Sequence, residues 1–308
     1  MANYIPDFTK SRWMVSNPKR LVRTGMDGKP FRCPFCEGNE ADTPPETYRI
    51  GQGEKDKIDW QVRVVPNLFP ITDIHEVIIH SPGHEKNIED FELVQVENII
   101  KTYIDRYNFF KDKGKVFIFH NYSLASGASL IHPHSQISIV PNDVQTNTLA
   151  LQPIVNIVEQ VNDFVSYCPD YSEWSYEVWI APYNVERITC NFENLNQIQI
   201  SNLAKILQSS IRKLKKIHAG NPHYTKKSFG YNFYIFIPQE RFLDSSLRSS
   251  LEMTREGKTV IPTEVEESSK WYLRIIPRFM ERAGFELSTG IMVNSVEPKK
   301  AAEELKKS

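Results

Sequence analysis

The sequence predicts an α+β protein in which one folding unit is used twice. Two helices with apolar residues spaced three and four apart are expected at about 88–113 and 195–218. Each follows a strand-like run and precedes two more, so the order of elements in the first half recurs in the second. The chain of 308 residues is 40% hydrophobic, which suffices for a large core. We therefore expect two similar units, residues 1–165 and 166–308.

The first unit begins its repeat with the strand "EVIIH" (76–80) and the turn "SPGH" (81–84). The helix at 88–113 gathers on one face Phe91, Val94, Ile99, Ile100, Tyr103, Ile104 and Tyr107. The strands "KVFIFHN" (115–121) and "ISIVP" (137–141) then complete the unit. Their apolar runs are typical of strands that pack against such a helix.

The second unit repeats this order with strand "YEVWIAP" (176–182), the helix at 195–218, and strands "YNFYIFIP" (231–238) and "KWYLRIIP" (270–277). The polar stretch at about 239–269 lacks a clean period and is expected to be a surface insertion or loop. The C-terminal "EPKKAAEELKKS" is typical of a short charged helix with a solvated surface.

Charge and composition exclude several functions. The 37 basic and 38 acidic residues nearly cancel, so no overall field favours nucleic acid or a membrane surface. No window approaches the roughly 20 apolar residues of a transmembrane helix, and the N-terminus lacks a signal-peptide pattern. We therefore expect a cytoplasmic protein that binds neither nucleic acid nor membrane.

The segment "CPFC" (33–36) is the clearest candidate metal site. Two thiolates on one turn suit tetrahedral zinc, which needs two further nitrogen or sulfur ligands. A redox pair and buried free thiols are the alternatives. Among the histidines, His84 lies in a turn and His132 follows a small-residue loop, but the residues alone do not separate His84 from His75, His80 or His120.

The stretch "HPHSQIS" (132–138) carries the candidate nucleophile. In an extended chain, His132, His134 and Gln136 point to one face. Pro133 cannot donate a backbone hydrogen bond, so this is expected to be an edge or an irregular strand start.

The preceding loop "ASGAS" (125–129) lets backbone N–H groups and the hydroxyls of Ser126 or Ser129 approach an anion. A histidine aimed at a phosphate in such a loop can attack phosphorus and form a covalent intermediate. Gln136 can hydrogen-bond the phosphate oxygens without supplying a proton to the leaving group.

These motifs together resemble the galactose-1-phosphate uridylyltransferase family of the histidine-triad superfamily, whose signature is H-P-H-x-Q. The resemblance extends along the chain through "RWMVSNPKR", "CPFC", "VVPNLFP", "SPGH" and "HN…SGAS…HPHSQ". It implies two fused histidine-triad-like units with antiparallel sheets and packed helices.

The resemblance also implies a role for individual residues. His134 would be the catalytic nucleophile and Gln136 the amide that holds the phosphate, beside a structural zinc bound by Cys33, Cys36, His84 and His132. The implied substrate-binding residues are Arg12, Asn67, Asn121, Gly127, Ser129 and Glu286, with Phe35 as a weaker candidate near the nucleoside.

The implied reaction is ping-pong nucleotidyl transfer between a nucleotide-sugar and a sugar 1-phosphate, carried out by a homodimer. Uridylyl transfer from UDP-glucose to galactose 1-phosphate is the leading expectation. The alternative is phosphorolysis of ADP-glucose or of a dinucleoside polyphosphate, with adenylyl transfer to phosphate.

Three departures from the galactose enzymes bear on the substrate. Ser135 replaces their glycine, as in relatives that transfer an adenylyl group, and Met292 falls near their hexose-contacting glutamine. No histidine follows His223, so a second metal site is not expected. Gln136 argues against a phosphoramidate hydrolase. The nearly neutral net charge argues against a non-catalytic zinc-stabilised binding module.

Overall fold

A computed structural model describes residues 1–7, 12–18, 32–183, 190–238 and 271–308. The fold is α+β, as predicted: helices pack against a large antiparallel sheet. The expected insertion at 239–269 and the last residues of "RWMVSNPKR" lie outside the described residues. No helix in the described part of the chain is both long enough and apolar enough to cross a bilayer.

The described strands form a hairpin and a ten-stranded sheet. The hairpin pairs β1 (Asn3–Asp7) with β2 (Arg12–Ser16). The sheet contains β3 (Tyr48–Gly51), β4 (Trp60–Pro66), β5 (Ile74–Ile79), β6 (Lys115–Tyr122), β7 (His134–Val140), β8 (Ile157–Val161), β9 (Phe164–Tyr167), β10 (Val178–Pro182), β11 (Tyr231–Phe236) and β12 (Tyr272–Pro277).

The order of the strands in this sheet is β3-β4-β5-β7-β6-β11-β12-β10-β9-β8. Read inwards from either edge, the two halves place corresponding strands in corresponding positions, and β6 pairs with β11 where they meet. The expected boundary at residue 165 falls inside β9. We propose that the two units instead divide between β7 and β8, which leaves each run of five strands intact.

One face of the sheet is covered by the helices α1 (Leu93–Phe110) and α2 (Gln197–Gly220). Their apolar sides and the inward residues of both half-sheets form one continuous core. Helix α1 begins at Leu93, later than the apolar spacing predicted, although Ile88 and Phe91 are buried in the segment before it. Helix α2 begins at a capping box between Asn196 and Gln199, which satisfies backbone N–H groups at its first turn.

Two shorter helices end the chain, α3 (Gly284–Thr289) and α4 (Pro298–Lys307). The predicted C-terminal helix is present with most of its charged residues exposed, but it also has a buried side that was not predicted. Ala301, Ala302 and Leu305 are buried, and α4 contacts α2 and β8. The lysines of α4 lie on its opposite, exposed side. The many charged residues made its narrow apolar stripe difficult to recognise in the sequence.

Candidate functional site

Four side chains gather at one end of the first half-sheet. Cys33 and Cys36 lie on a turn, His84 follows β5, and His132 precedes β7. Their ligand atoms all lie within 4.8 Å of one another. Cys36 Sγ is 3.1 Å from His84 Nδ1, and Cys33 Sγ is 3.5 Å from His132 Nδ1. The cluster is compatible with a metal site.

The protonation of this cluster also fits a cation. His132 Nε2–H donates to the carbonyl of Ser81 at 2.8 Å, which leaves the Nδ1 lone pair facing the thiols. Burial lowers the pKa of His132 to about 4, so the ring is neutral at pH 7. Burial, with the neighbouring Cys33, raises the pKa of Cys36 to about 11. A divalent cation among these atoms would favour the thiolate, and two sulfurs with two nitrogens suit zinc.

His134 begins strand β7 beside this cluster and is 7% exposed. Its Nδ1–H donates to the carbonyl of His132 at 2.8 Å, so the neutral ring carries its lone pair on Nε2. Burial lowers the pKa of His134 and favours that neutral form. The ring packs edge-on against Phe35, with centroids 5.4 Å apart. An imidazole held in this way has the tautomer that a nucleophile requires.

A cavity of about 450 Å³ opens over the same face of the sheet. It is lined by both expected catalytic residues, His134 and Gln136, which confirms that these positions share a face. It is also lined by five of the expected binding residues, Phe35, Asn67, Asn121, Gly127 and Ser129. Gly127 has φ +82°, a left-handed conformation that favours glycine at the end of the short turn Leu124–Ser126.

Two expected substrate-binding residues do not line this cavity. Arg12 lies exposed on β2 of the hairpin. Glu286 lies on α3 and borders a separate small depression with Trp174 and Met292. Within the described residues of one chain, the residues expected to act on the phosphate therefore share one cavity, and Glu286, the residue expected to contact the sugar, lies at another site.

The start of strand β7 differs in part from the expectation. β7 lies between β5 and β6, so the prediction of an edge strand was wrong. The irregular start was correct, because the strand begins at His134. His132 precedes the strand and contacts the thiol of Cys33, and it does not line the cavity as His134 and Gln136 do. The carbonyl of Pro133 still accepts a hydrogen bond from the backbone N–H of His80 at 3.0 Å.

A buried polar network on the helix side of β7 was not predicted. Ser135 Oγ lies 2.6 Å from Tyr103 Oη and 2.8 Å from His80 Nε2. His120 Nδ1 lies 2.9 Å from the carbonyl of His134. Burial lowers the pKa of His120 to about 3 and keeps it neutral. His80 and His120, which the sequence left open as possible metal ligands, therefore contact the start of the strand that carries His134.

Two other side chains contact the amides of the cavity. His75 Nε2 lies 3.0 Å from Gln136 Oε1, and Asn232 Nδ2 lies 2.6 Å from Asn121 Oδ1. Sequence reasoning considered His75 only as a metal ligand and did not single out Asn232. Asn232 belongs to the second half and reaches the site because β11 pairs with β6.

Comparison with known proteins connects this site to a family. The family described as "Galactose-1-phosphate uridyl transferase, N-terminal domain" matches residues 70–140, which span β5 to β7. An ADP-glucose phosphorylase of Arabidopsis thaliana is 23% identical, over 97% of this chain and 92% of its own length. A galactose-1-phosphate uridylyltransferase of Thermotoga maritima is also 23% identical, over 66% of this chain and 73% of its own.

Residues 70–140 therefore match the N-terminal domain of the galactose-1-phosphate uridyl transferase family. Solved structures share the fold of the chain. The crystal structure of the Arabidopsis thaliana ADP-glucose phosphorylase with bound ADP-glucose matches with a TM-score of 0.69 and 21% identity, covering 100% of this chain and 99% of that one. A uridylyltransferase structure matches with a TM-score of 0.70 and 18% identity, covering 100% and 98%.

Proposed function

We propose that this protein transfers a nucleotidyl group through a covalent intermediate on His134. The observation that carries the proposal is the hydrogen bond from His134 Nδ1–H to the carbonyl of His132, which leaves Nε2 as the free nitrogen at the cavity. A buried, neutral imidazole with one fixed lone pair is suited to attack phosphorus. The amides of Gln136 and Asn121 line the same cavity and supply donors for phosphate oxygens.

The reaction has two displacement steps. Nε2 of His134 attacks the α-phosphorus of a nucleotide-sugar, and the bond from that phosphorus to the bridging oxygen breaks. The sugar 1-phosphate leaves with the electron pair on its phosphate oxygen. A phosphate oxygen of the acceptor then attacks the same phosphorus, the P–N bond breaks, and Nε2 regains its lone pair. Gln136 has no acidic proton to give a leaving group, which favours transfer over hydrolysis.

The proposed donor is ADP-glucose and the proposed acceptor is inorganic phosphate, giving ADP and glucose 1-phosphate. This reverses the order of the two sequence-based expectations. The support is the Arabidopsis thaliana relative, an ADP-glucose phosphorylase whose similarity extends over nearly the whole chain. Uridylyl transfer from UDP-glucose to galactose 1-phosphate is the second candidate, supported by the Thermotoga maritima relative over 66% of the chain.

The proposed metal is zinc, held by Cys33, Cys36, His84 and His132. When bound, it would act structurally, because all its ligands would be protein groups and none would be left for substrate. His132 joins this cluster to the nucleophile, since its carbonyl receives the hydrogen bond from His134. Fixing the backbone at His132 therefore fixes the ring at position 134.

A homodimer is the proposed assembly. Glu286 and Arg12 do not line the cavity of their own chain, and the segment around α3 exposes Phe285, Leu287, Ile291 and Val293. Light scattering on the purified protein is expected to give twice the mass of 35.7 kDa. A monomer at micromolar concentration would contradict this part of the proposal.

The donor is tested with ADP-glucose and UDP-glucose in separate reactions, each with phosphate and with galactose 1-phosphate as acceptor. We expect ADP-glucose and phosphate to give the fastest formation of glucose 1-phosphate, measured by chromatography. Faster reaction of UDP-glucose with galactose 1-phosphate would establish the second candidate. Free nucleoside monophosphate formed at the same rate without any acceptor would indicate a hydrolase.

A further inference from the structure

The side-chain amides of Gln136 and Asn121 can present either an oxygen or an NH₂ group to the cavity. Only the NH₂ group attracts a phosphate, because the oxygen is an acceptor. The shortest side-chain contact of each amide is made by a residue that does not line the cavity, His75 for Gln136 and Asn232 for Asn121. The hydrogen bonds of those two residues decide which end faces outward.

The orientation of Gln136 follows from a backbone group. The N–H of Ile71 donates to His75 Nδ1 at 2.9 Å, so this nitrogen carries the lone pair and the neutral ring has its proton on Nε2. Nε2–H then donates to Gln136 Oε1 at 3.0 Å. Asn67 Nδ2 lies 3.5 Å from the same oxygen. The oxygen of Gln136 is thus engaged by protein donors, and its NH₂ group is the end left for a ligand.

The orientation of Asn121 follows in the same way. Asn232 Nδ2 lies 2.9 Å from the carbonyl oxygen of Ser126, which can only accept, so this end of Asn232 is the NH₂ group. The same NH₂ group donates to Asn121 Oδ1 at 2.6 Å. The oxygen of Asn121 is therefore engaged on the sheet, and its NH₂ group remains for the cavity.

We infer that His75 and Asn232 are positioning residues that fix Gln136 and Asn121 as hydrogen-bond donors toward the phosphates of the bound nucleotide. This inference deepens the proposed function and rests on it for the identity of the ligand. Neither residue needs to touch the substrate. Asn232 is the contribution of the second half to the phosphate site, carried across by the pairing of β6 with β11.

The test for His75 compares two amide substitutions. In His75→Asn the side chain keeps an acceptor near the place of Nδ1 and loses the donor to Gln136. In His75→Gln the longer side chain carries an NH₂ group near the place of Nε2. We expect His75→Asn to slow nucleotidyl-enzyme formation about 10-fold to 100-fold in single-turnover measurements, and His75→Gln to recover most of that rate.

A double-mutant cycle separates positioning from a structural role. If His75 acts through Gln136, His75→Asn causes no further loss of rate or of ADP affinity in a Gln136→Ala background. The same fold loss in both backgrounds would overturn the inference for His75. Asn232→Asp, which removes the donor to Asn121 without changing size, is treated in the same way against Asn121→Ala. Melting temperatures of all variants show whether each remains folded.

The tautomer of His75 is observable without any reaction. In the zinc-loaded protein with ¹⁵N-labelled histidine, two-bond nitrogen–proton spectra should show His75 neutral with its proton on Nε2, the signal being identified by its loss in His75→Asn. A proton on Nδ1 would overturn the inference. If the tautomer and the ADP-affinity cycle come out as expected but no nucleotide-sugar forms an adduct, the proposed reaction fails and the donor orientation stands.

Discussion

The two halves of the sheet have matching strands but different contents on the face turned away from α1 and α2. In the first half this face opens into the cavity with His134 and Gln136. In the second half aromatic rings fill it: Trp179 stacks on Tyr272 with centroids 4.1 Å apart. Tyr272 Oη also donates to the carbonyl of Leu149 at 2.6 Å, in a segment that covers the cluster.

The two half-sheets also correspond at single residue positions. Gln136 in β7 lies five residues before Pro141, which follows that strand. Tyr272 in β12 lies five residues before Pro277, which ends that strand. Their strands β7 and β12 occupy corresponding places in the sheet. The amide of Gln136 borders an open cavity, whereas the ring of Tyr272 belongs to a packed aromatic cluster. Different side chains on a repeated backbone therefore leave a cavity in one half and fill the corresponding face of the other.

The largest expected effect is that of His134→Asn. The shorter amide can still donate to the carbonyl of His132, but it has no nucleophilic nitrogen, so adduct formation should fall at least about 1,000-fold. Quenched-flow mass spectrometry measures this rate. Tyr272→Phe in the second half is the control and should leave the rate unchanged. Equal losses in the two variants would contradict the assignment of chemistry to the first half.

Loss of the metal is the next effect in size. Cys36→Ser removes one of four clustered ligands, so we expect purified protein to lose its zinc and to melt at a lower temperature. Cys168→Ser changes a buried thiol of the second half and should keep one zinc ion per chain by elemental analysis. Equal zinc content in the two variants would show that the cluster around Cys36 does not bind the metal.

Stability should be affected most in the second half. Trp179→Ala removes a ring that is 1% exposed and should lower the free energy of unfolding by about 3–5 kcal/mol in urea titrations. The rate of adduct formation per folded molecule should stay near that of the original protein. A selective loss of rate with little loss of stability would mean that the aromatic cluster takes part in the reaction.

The smallest expected effect is that of Ser135→Gly. Tyr103 and His80 would lose their hydrogen-bond partner, which should cost about 1–3 kcal/mol of stability. The preference between ADP-glucose and UDP-glucose should not change, because Ser135 Oγ contacts the helix side of β7. Parallel kinetics with the two donors measure this preference. A reversed preference would show that Ser135 contributes to recognition of the nucleotide base.

The local spacing of residues in the sequence predicted the long helices and part of the candidate site. Apolar spacing placed both long helices, and the period of a strand placed His134 and Gln136 on one face, because both signals depend only on neighbouring residues. The resemblance to a known family supplied His84 and His132 as partners of the thiols, which the residues alone left open. The start of α1 was less predictable, since Ile88 and Phe91 are buried without being helical.

Residues brought in by distant strand pairing were beyond sequence reasoning. His75 reaches Gln136 because β5 pairs with β7, and Asn232 reaches Asn121 because β6 pairs with β11. Neither strand pairing can be deduced from the residues adjacent to His75 or Asn232 in the sequence. Helix α4 was different, since Ala301, Ala302 and Leu305 already had helical spacing and only the surrounding charge obscured it.

The proposed covalent intermediate on His134 is most directly tested by locating the adduct. The zinc-loaded protein would be mixed with ADP-glucose in the absence of phosphate, digested at neutral pH and sequenced by tandem mass spectrometry. We predict one adenylyl group on the peptide that contains "HPHSQ", attached to His134. An adduct on any other residue, or complete turnover to products with no trapped adduct, would contradict the account.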